Sequence, residues 1–425
     1  METVPARPDG RPPRSYKGSS RPDQQKRREL ALARQREARK ELQAHARRLS
    51  QVLTEEAEFN DGTQEDLMYL EAETATDESS FRQGTTGQEP AESSGIPPGD
   101  SLRGQISPGD SVRGQQLREW YARQLLQPEW MIDVPPDLAT NWSVMARPEG
   151  KRCLVISANG STVSRLKNGR ILHTFPSFLP NGARVKGIAQ ACHVYCILDC
   201  IFHEPDQTYY VIDMMCWKGY PLYDCASSFR LFWIATKLPE TDAFRPPAHY
   251  HRFRFAPVQV YDADPGGIHL AYAGEVPYQR DGLLFYNKEA HYSLGVTPLV
   301  LLWKDPLCSN YFLDTDSKGT IPTEQQVVLR LRADGTVASS DDPPVVLGSI
   351  PAAFLQQHAE SLRPGTLLRF SVGDRGIQTE GDGPPVADLQ YQGLANQRRG
   401  GPDSFTKILF QYAARHDPLT IEQIL

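Results

Sequence analysis

The alternation of apolar and polar positions divides the chain into a polar N-terminal part and two regions with strand-like runs. The first region extends from about Leu117 to Pro306, where aromatic and β-branched residues lie between turn signals such as Asn159-Gly160. We predict strands over residues 153–157, 194–202, 208–216, 229–234, 283–287 and 298–303. This pattern is typical of a β-rich, mostly antiparallel domain with few helices.

A second region with strand-like runs lies nearer the C terminus. Residues 326–332 and 367–372 have strand composition, and helix-like segments cover Ala352–Leu362 and Phe405–Ala414. We therefore predict that residues 320–425 form a small C-terminal β-rich module.

The polar N-terminal part has its own pattern. Residues 1–20 are rich in Pro, Arg and Gly, which predicts disorder. Between Gln24 and Leu53 there is no Pro or Gly, and the composition predicts a basic helix within residues 21–53. Its apolar stripe is too thin to bury a core, so we expect the helix to order on a partner.

Charge is distributed unevenly along this part. Residues 1–50 carry 14 basic and 6 acidic side chains, whereas residues 51–100 carry 13 acidic side chains and one basic. Residues 54–116 are acidic and of low complexity, and we interpret them as a linker. The remainder is nearly neutral, which argues against a protein that coats long nucleic acids.

Composition argues against a membrane protein and against a secreted protein. Mean hydropathy is −0.49, and no apolar run approaches the roughly 18 residues of a membrane span, so we expect no membrane partner. The seven Cys are few and odd in number, which is typical of free thiols in a reducing compartment.

Three stretches of the chain match one family pattern. The most specific is residues 197–225, with the run Tyr209-Tyr-Val-Ile-Asp213 at its centre, and the other two are residues 129–152 and 281–300. Over roughly residues 117–306 the chain thus resembles the snurportin family, the nuclear import adaptors of spliceosomal ribonucleoproteins. This resemblance implies a domain over 117–306 that binds the 2,2,7-trimethylguanosine (m3G) cap of small nuclear RNA.

The resemblance also implies a fold class. It is α+β, with a β-rich cap-binding domain like the nucleotidyltransferase domain of mRNA capping enzymes, preceded by the basic helix and followed by an OB-like module at 320–425. Capping enzymes and ligases use a lysine nucleophile, and in the matching stretch that position is Arg147. A guanidinium stays protonated and cannot attack a phosphate, so the resemblance implies nucleotide binding without catalysis and without a cofactor.

The positions that match the family's cap contacts lie in four places. The residues predicted to bind the cap are Gln127, Pro128, Trp130, Gly150, Lys151, Arg152, Lys167, Trp303 and Lys304. Aromatic rings would stack on the cationic methylated base, and the Lys and Arg side chains would bind the triphosphate bridge. The alternatives are core packing for the two Trp and ordinary surface charge for the lysines.

Two of these positions depart from the family pattern. Trp303 lies one residue later than the family's stacking Trp, because Leu301 and Leu302 both intervene. In a regular strand this turns a side chain to the opposite face unless a bulge compensates. Pro128 replaces a small polar residue, which removes a hydroxyl and a backbone N–H.

The basic helix resembles the importin-β-binding segment of the same family. The residues predicted to bind importin-β are Arg27, Arg28, Leu30, Arg36, Arg39, Arg47, Arg48 and Leu49. A polycationic helix with little core suits a long acidic groove, although nonspecific nucleic-acid binding is an alternative. The resemblance implies shuttling between nucleus and cytoplasm; residues 1–20 lack the Leu or Ile of the family's exportin-binding signal.

The sequence predicts no metal centre. Asp213 and Asp281 match acidic positions of the active enzymes, and without a nucleophile we expect both to be structural. Cys192, Cys196 and Cys200 lack a second ligand pair at a zinc-like interval. Two other functions remain open: an active RNA guanylyltransferase or ligase, and a general single-stranded RNA-binding protein.

Overall fold

The computed structural model describes most of the chain outside its N-terminal part. The described residues are 24–35, 45–51, 108–184, 193–248, 251–316, 319–358, 361–379, 385–395 and 401–425. The predictions of disorder at 1–20 and of importin contacts at Arg36 and Arg39 fall outside these residues, as does Cys192.

Helices flank and cover the strands. Their bounds are α1 Gln24–Gln35, α2 45–51, α3 Pro108–Ala122, α4 Leu138–Asn141, α5 Ser227–Lys237, α6 Pro265–Ala273, α7 Ala352–Gln357, α8 Phe405–His416 and α9 Ile421–Ile424. α3 begins inside the segment predicted as a linker. Proline is tolerated at the first helical position, and Leu117, Trp120 and Tyr121 pack this helix against the central core.

The central domain is built from two sheets. The strands of the first sheet are β1 Leu126–Trp130, β2 Trp142–Pro148, β10 Val260–Asp262, β11 Arg280–Asn287 and β12 Gly295–Trp303. Their order is β1-β12-β11-β2-β10, and the β1–β12 pair is parallel. The β1–β12 register shifts between Pro128 and Glu129, which face Thr297 and Leu301, so β12 bulges at this point.

The second sheet carries the most fully buried strands. Its strands are β3 Lys151–Ala158, β4 Ser161–Leu166, β5 Ile171–Phe175, β6 Cys196–His203, β7 Thr208–Trp217, β8 Tyr220–Pro221 and β9 Arg254–Pro257. The order is β5-β4-β3-β6-β7-β8, with β9 parallel to β7. Every residue of β6 and β7 is buried, which explains why their sequences are mostly apolar.

Apolar side chains on both faces of the first sheet build the core. Leu284 and Val300 face the second sheet, whereas Leu283, Leu301 and Trp303 face α6 and the C-terminal helices. The C-terminal helices α8 and α9 therefore pack directly on the central domain, through Phe410 and Ile424.

The C-terminal module is a five-stranded sheet that curls on itself. Its strands are β13 Gln326–Leu331, β14 Thr336–Ala338, β15 Val346–Ser349, β16 Leu367–Gln378 and β17 Val386–Leu394. The order is β15-β14-β13-β16-β17, and along the chain α7 lies between β15 and β16. The two edge strands lie against each other, which gives the partly open five-stranded barrel of an OB-fold.

One predicted strand is wrong. Residues 229–234 belong to α5, which buries Ser227, Arg230, Leu231 and Ile234 and exposes Phe229 and Phe232. That spacing is helical, and the aromatic residues that favoured a strand point largely to solvent. The fold class predicted from the sequence, α+β and rich in β-structure, is confirmed.

Candidate cap-binding site

A buried carboxylate on β11 pairs with a cation from β2 and with one from the residue that follows β12. Asp281 accepts from Arg147 of β2, from Lys304 Nζ at 2.5 Å, and from the Ser309 hydroxyl at 2.6 Å. Burial lowers the pKa of Arg147 and of Lys304, and the charge of Asp281 opposes this change in both. The side chain at the nucleophile position is therefore neutralised and held in place by Asp281.

A second carboxylate, Asp199 on β6, holds Arg152 of β3. Arg152 Nε and Nη2 donate to its two oxygens at 3.0 and 2.7 Å, and the Tyr292 hydroxyl donates at 2.7 Å. Burial acts to lower the pKa of Arg152, but the charge and hydrogen bonds of Asp199 outweigh it and raise that pKa. Arg152 is consequently a fixed cation in the wall of the site.

The turn between β4 and β5 places Lys167 beside these cations. Its side chain is exposed and forms no ion pair with the residues that the structure describes. Desolvation of the ammonium by the surrounding protein is the first cause that lowers the pKa of Lys167, and the charges of Arg152, Lys407 and Arg147 follow. Together they lower this pKa to about 8. Lys167 thus remains available to bind an anion.

A close contact between two elements fixes that turn. Gly169 has φ +80°, and a Cβ there would lie 1.9 Å from the carbonyl oxygen of Arg118 on α3. Any larger residue would collide with this backbone atom. Glycine is therefore required at 169, and α3 positions the turn that carries Lys167.

Helix α8 covers Trp130. The rings of Trp130 and Phe410 lie 4.7 Å apart, and the Trp130 amide donates to Thr406 Oγ1 at 3.3 Å. Lys304 Nζ lies 5.9 Å from the centre of the Trp130 ring. On the same helix, Lys407 pairs with Asp314 and Asp403, both at 2.8 Å. Sequence reasoning missed Phe410 and Lys407, because no local pattern links α8 to β1.

Trp303 lies inside the apolar cluster that also contains Phe410. It is fully buried and donates from Nε1 to the carbonyl oxygen of Leu419 at 3.0 Å. The position that the family pattern assigns to the stacking Trp is Leu302, whose side chain faces the core between the two sheets. The bulge of β12 ends at Leu301 and does not restore the direction of Trp303, so its placement agrees with the core-packing alternative.

The remaining predicted cap residues lie at the start of β3 and on β1. Gly150 has φ +141°, and a Cβ there would lie 2.2 Å from the Phe202 carbonyl oxygen. Lys151 is half-exposed, with Nζ 3.4 Å from Glu204. Gln127 and Pro128 are half-buried beside β12. Their contacts with a cap stay a prediction.

The predicted importin-binding residues divide by exposure. Arg28 and Leu49 are buried and Arg27 is partly buried, whereas Leu30, Arg47 and Arg48 are exposed.

Asp213, the other residue that matches an acidic position of the active enzymes, forms an ion pair with an arginine. Arg230 of α5 donates to both of its oxygens at 2.8 Å, and both residues are fully buried. Within the described residues, no group of three or more His, Cys, Asp or Glu could hold a metal ion. No helix in that part of the chain is long and apolar enough to cross a membrane.

The family of the central domain follows from its sequence. Residues 124–306 match the protein family described as Snurportin1, m3G cap-binding domain. The central domain therefore matches the snurportin family model along its length. The resemblance inferred from the three stretches at 129–152, 197–225 and 281–300 is therefore confirmed.

Solved structures to which the chain is similar include several ligases. A mycobacterial DNA ligase D complexed with ATP is 10% identical, with 67% of this chain and 100% of that one covered, at a TM-score of 0.32. The ligase domain of M. tuberculosis LigD is 11% identical, with 65% of this chain and 95% of that one covered, at a TM-score of 0.29. Chlorella virus DNA ligase-adenylate is 10% identical, with 64% of this chain and 99% of that one covered, at a TM-score of 0.26. Similarities of this size do not bear on function.

Proposed function

We propose that this chain is a nuclear import adaptor that binds the m3G cap of spliceosomal small nuclear RNAs and links the ribonucleoprotein to importin-β. The observation that supports cap binding is the family match over residues 124–306. Importin-β binding is supported by the arginine-rich helices α1 and α2. The adaptor would shuttle between cytoplasm and nucleus.

Cap binding would use the Lys167 turn and Trp130. Methylation at N7 makes the base cationic, so a Trp face attracts it more strongly than an unmodified guanine. Trp130 is the predicted aromatic that lies beside a cation of the site, Lys304, and α8 must shift for a base to reach its ring. The triphosphate would be bound by Lys167, whose ammonium is not neutralised by a described carboxylate.

Catalysis is not part of the proposal. A guanylyltransferase or ligase needs a neutral amine to attack the nucleotide, and Arg147 is a guanidinium paired with Asp281. We expect no covalent label when the chain is incubated with radiolabelled GTP or ATP and divalent cation. A labelled band that survives denaturation would favour the enzyme over the adaptor.

A capture experiment tests both halves together. Immobilised importin-β should retain an m3G-capped RNA oligonucleotide when the full chain is present and release it when the chain is omitted. The same RNA with a 7-methylguanosine cap or no cap is the control. Equal retention of all three RNAs would contradict the cap function, and failure to retain the chain itself would contradict the importin function.

A further inference from the structure

The first basic helix does not project into solvent; it lies on the central domain. Arg27 donates to both oxygens of Glu129 at 2.7 and 2.9 Å, and Gln24 donates to the same carboxylate at 2.9 Å. Glu129 is 3% exposed and lies on β1, between Pro128 and Trp130 of the predicted cap site. An arginine helix is thus tied to the strand that carries predicted cap contacts.

The next residue of the helix is sequestered as well. Arg28 is 4% exposed, lies over the ring of Trp142 at 5.5 Å, and donates to Gln24 at 2.9 Å. Burial lowers its pKa to about 10. A partner protein that needs these two guanidinium groups cannot reach them while the helix stays in this position.

The far end of α1 is anchored independently. Gln35 donates to the carbonyl oxygen of Glu289 at 2.8 Å and accepts from the His291 amide at 2.9 Å. Both partners are backbone atoms between β11 and β12, so this contact fixes the helix direction. Positions 24, 27, 28 and 35 share one helical face, and Leu30 on another face is 55% exposed.

The second basic helix is attached too. Ala46 and Leu49 of α2 are fully buried in the central core, and Arg48 lies over the Trp120 ring of α3 at 5.6 Å. His45 contacts Gln124 at 2.6 Å. Both ends of the predicted importin-binding segment therefore contact the cap-binding domain, through two separate surfaces.

We propose that the surface formed by Glu129, Trp142 and residues 289–291, here called the helix dock, binds α1 of the same chain and competes with importin-β for Arg27 and Arg28. This inference rests on the proposed importin function. The occupant is an arginine helix because the helix dock presents a buried carboxylate that pairs with Arg27, an aromatic face under Arg28 and two backbone groups that bond the Gln35 amide.

The competition has a measurable consequence. The apparent affinity of importin-β is its intrinsic affinity reduced by the fraction of chains in which α1 is released. If about one chain in ten is released, importin-β binds roughly tenfold more weakly than to a fully released chain. A substitution that weakens the contact between α1 and the helix dock should therefore raise the importin-β affinity by about that factor.

The experiment compares full-length variants. Glu129→Gln keeps the size of the side chain and removes the charge that holds Arg27. We expect it to bind importin-β about tenfold more tightly than the wild type, by fluorescence anisotropy, and to exchange the α1 backbone amides faster in hydrogen exchange without importin-β. Glu275→Gln, an exposed carboxylate on the loop after α6, is the matched control and should change neither value.

Arg27→Gln separates docking from importin binding. It should accelerate exchange of α1 like Glu129→Gln, but it should not gain importin-β affinity, because Arg27 is itself a predicted importin contact. Gln35→Ala tests the other end of the dock and should act in the same direction as Glu129→Gln.

Two results would overturn the proposal. Equal exchange of α1 in wild type and Glu129→Gln would show that the dock does not hold the helix. Faster exchange without tighter importin-β binding would show that docking does not compete. If importin-β binds none of the variants, the proposed import function fails and the competition fails with it, while exchange still reports whether the helix is docked.

Discussion

Two kinds of cation lie side by side in the central domain and differ in their partners. Arg147, Arg152 and Lys304 each pair with a buried carboxylate, whereas Lys167 lies on an exposed turn without an ion pair among the described residues. A paired cation is already neutralised and serves mainly to hold strands together, while an unpaired one can receive phosphate oxygens. The difference separates the scaffold of the site from its ligand contacts.

The largest effect should come from breaking the most deeply buried pair. Arg230→Ala leaves the carboxylate of Asp213 buried without its cation, and we expect a loss of about 3–5 kcal/mol in the free energy of unfolding. Urea unfolding followed by circular dichroism would measure it. Lys237→Ala, in the exposed pair with Glu240 on the same helix, should change the value by less than about 1 kcal/mol. Equal losses for the two variants would contradict the scaffold role.

The next effect should have opposite signs for folding and binding. Asp281→Asn removes the charge that neutralises Arg147 and Lys304, and we expect unfolding free energy to fall by about 2 kcal/mol. The two released cations should at the same time bind inorganic pyrophosphate about tenfold more tightly, by isothermal titration calorimetry. Unchanged pyrophosphate affinity would mean that these cations do not face the anion site.

A smaller effect confined to binding is expected at the free lysine. Lys167→Ala should weaken m3G-cap dinucleotide binding about tenfold, which corresponds to about 1.4 kcal/mol, because one charge-assisted contact to phosphate is lost. Stability should change by less than about 0.5 kcal/mol, since the side chain has no described ion pair. Lys218→Ala, on an exposed turn at the other end of the same sheet, is the control. Equal weakening by both variants would indicate a nonspecific charge effect.

The smallest effect concerns pH. The pKa of Lys167 is lowered to about 8, so its ammonium is largely present at pH 7 and largely lost at pH 9. Cap affinity should therefore fall as pH rises through this range, by about fivefold at most. Lys167→Arg should make the profile flat there, because a guanidinium stays protonated. A profile that is identical in both proteins would assign the titration to another group.

The sequence predicted those parts of the fold that depend on local patterns. The buried strands around Asp199 and Asp213 follow from their apolar and β-branched composition. The offset at Trp303 follows from the period of 2 in a strand, since one inserted residue turns a side chain to the opposite face. α5 was mistaken for a strand because its aromatic residues outweighed the helical spacing of Arg230, Leu231 and Ile234.

Contacts between distant segments could not be predicted. Thr406 and Trp130 are separated by 276 residues, and Arg27 and Glu129 by 102. No periodicity or composition reports which surface a helix will cover, because that depends on the shape and charge of the whole domain. The cover over Trp130 and the dock for α1 therefore required the structure.

The measurement that tests the central claim most directly is a tryptophan-fluorescence titration of the full chain with m3G-cap and 7-methylguanosine-cap dinucleotides, repeated on Lys167→Ala, Trp130→Ala and Trp303→Phe. The account predicts tighter binding of the m3G cap, weakened in the first two variants and retained in Trp303→Phe, because Trp303 is a core residue. Equal binding of the two caps, or binding lost only in Trp303→Phe, would contradict it.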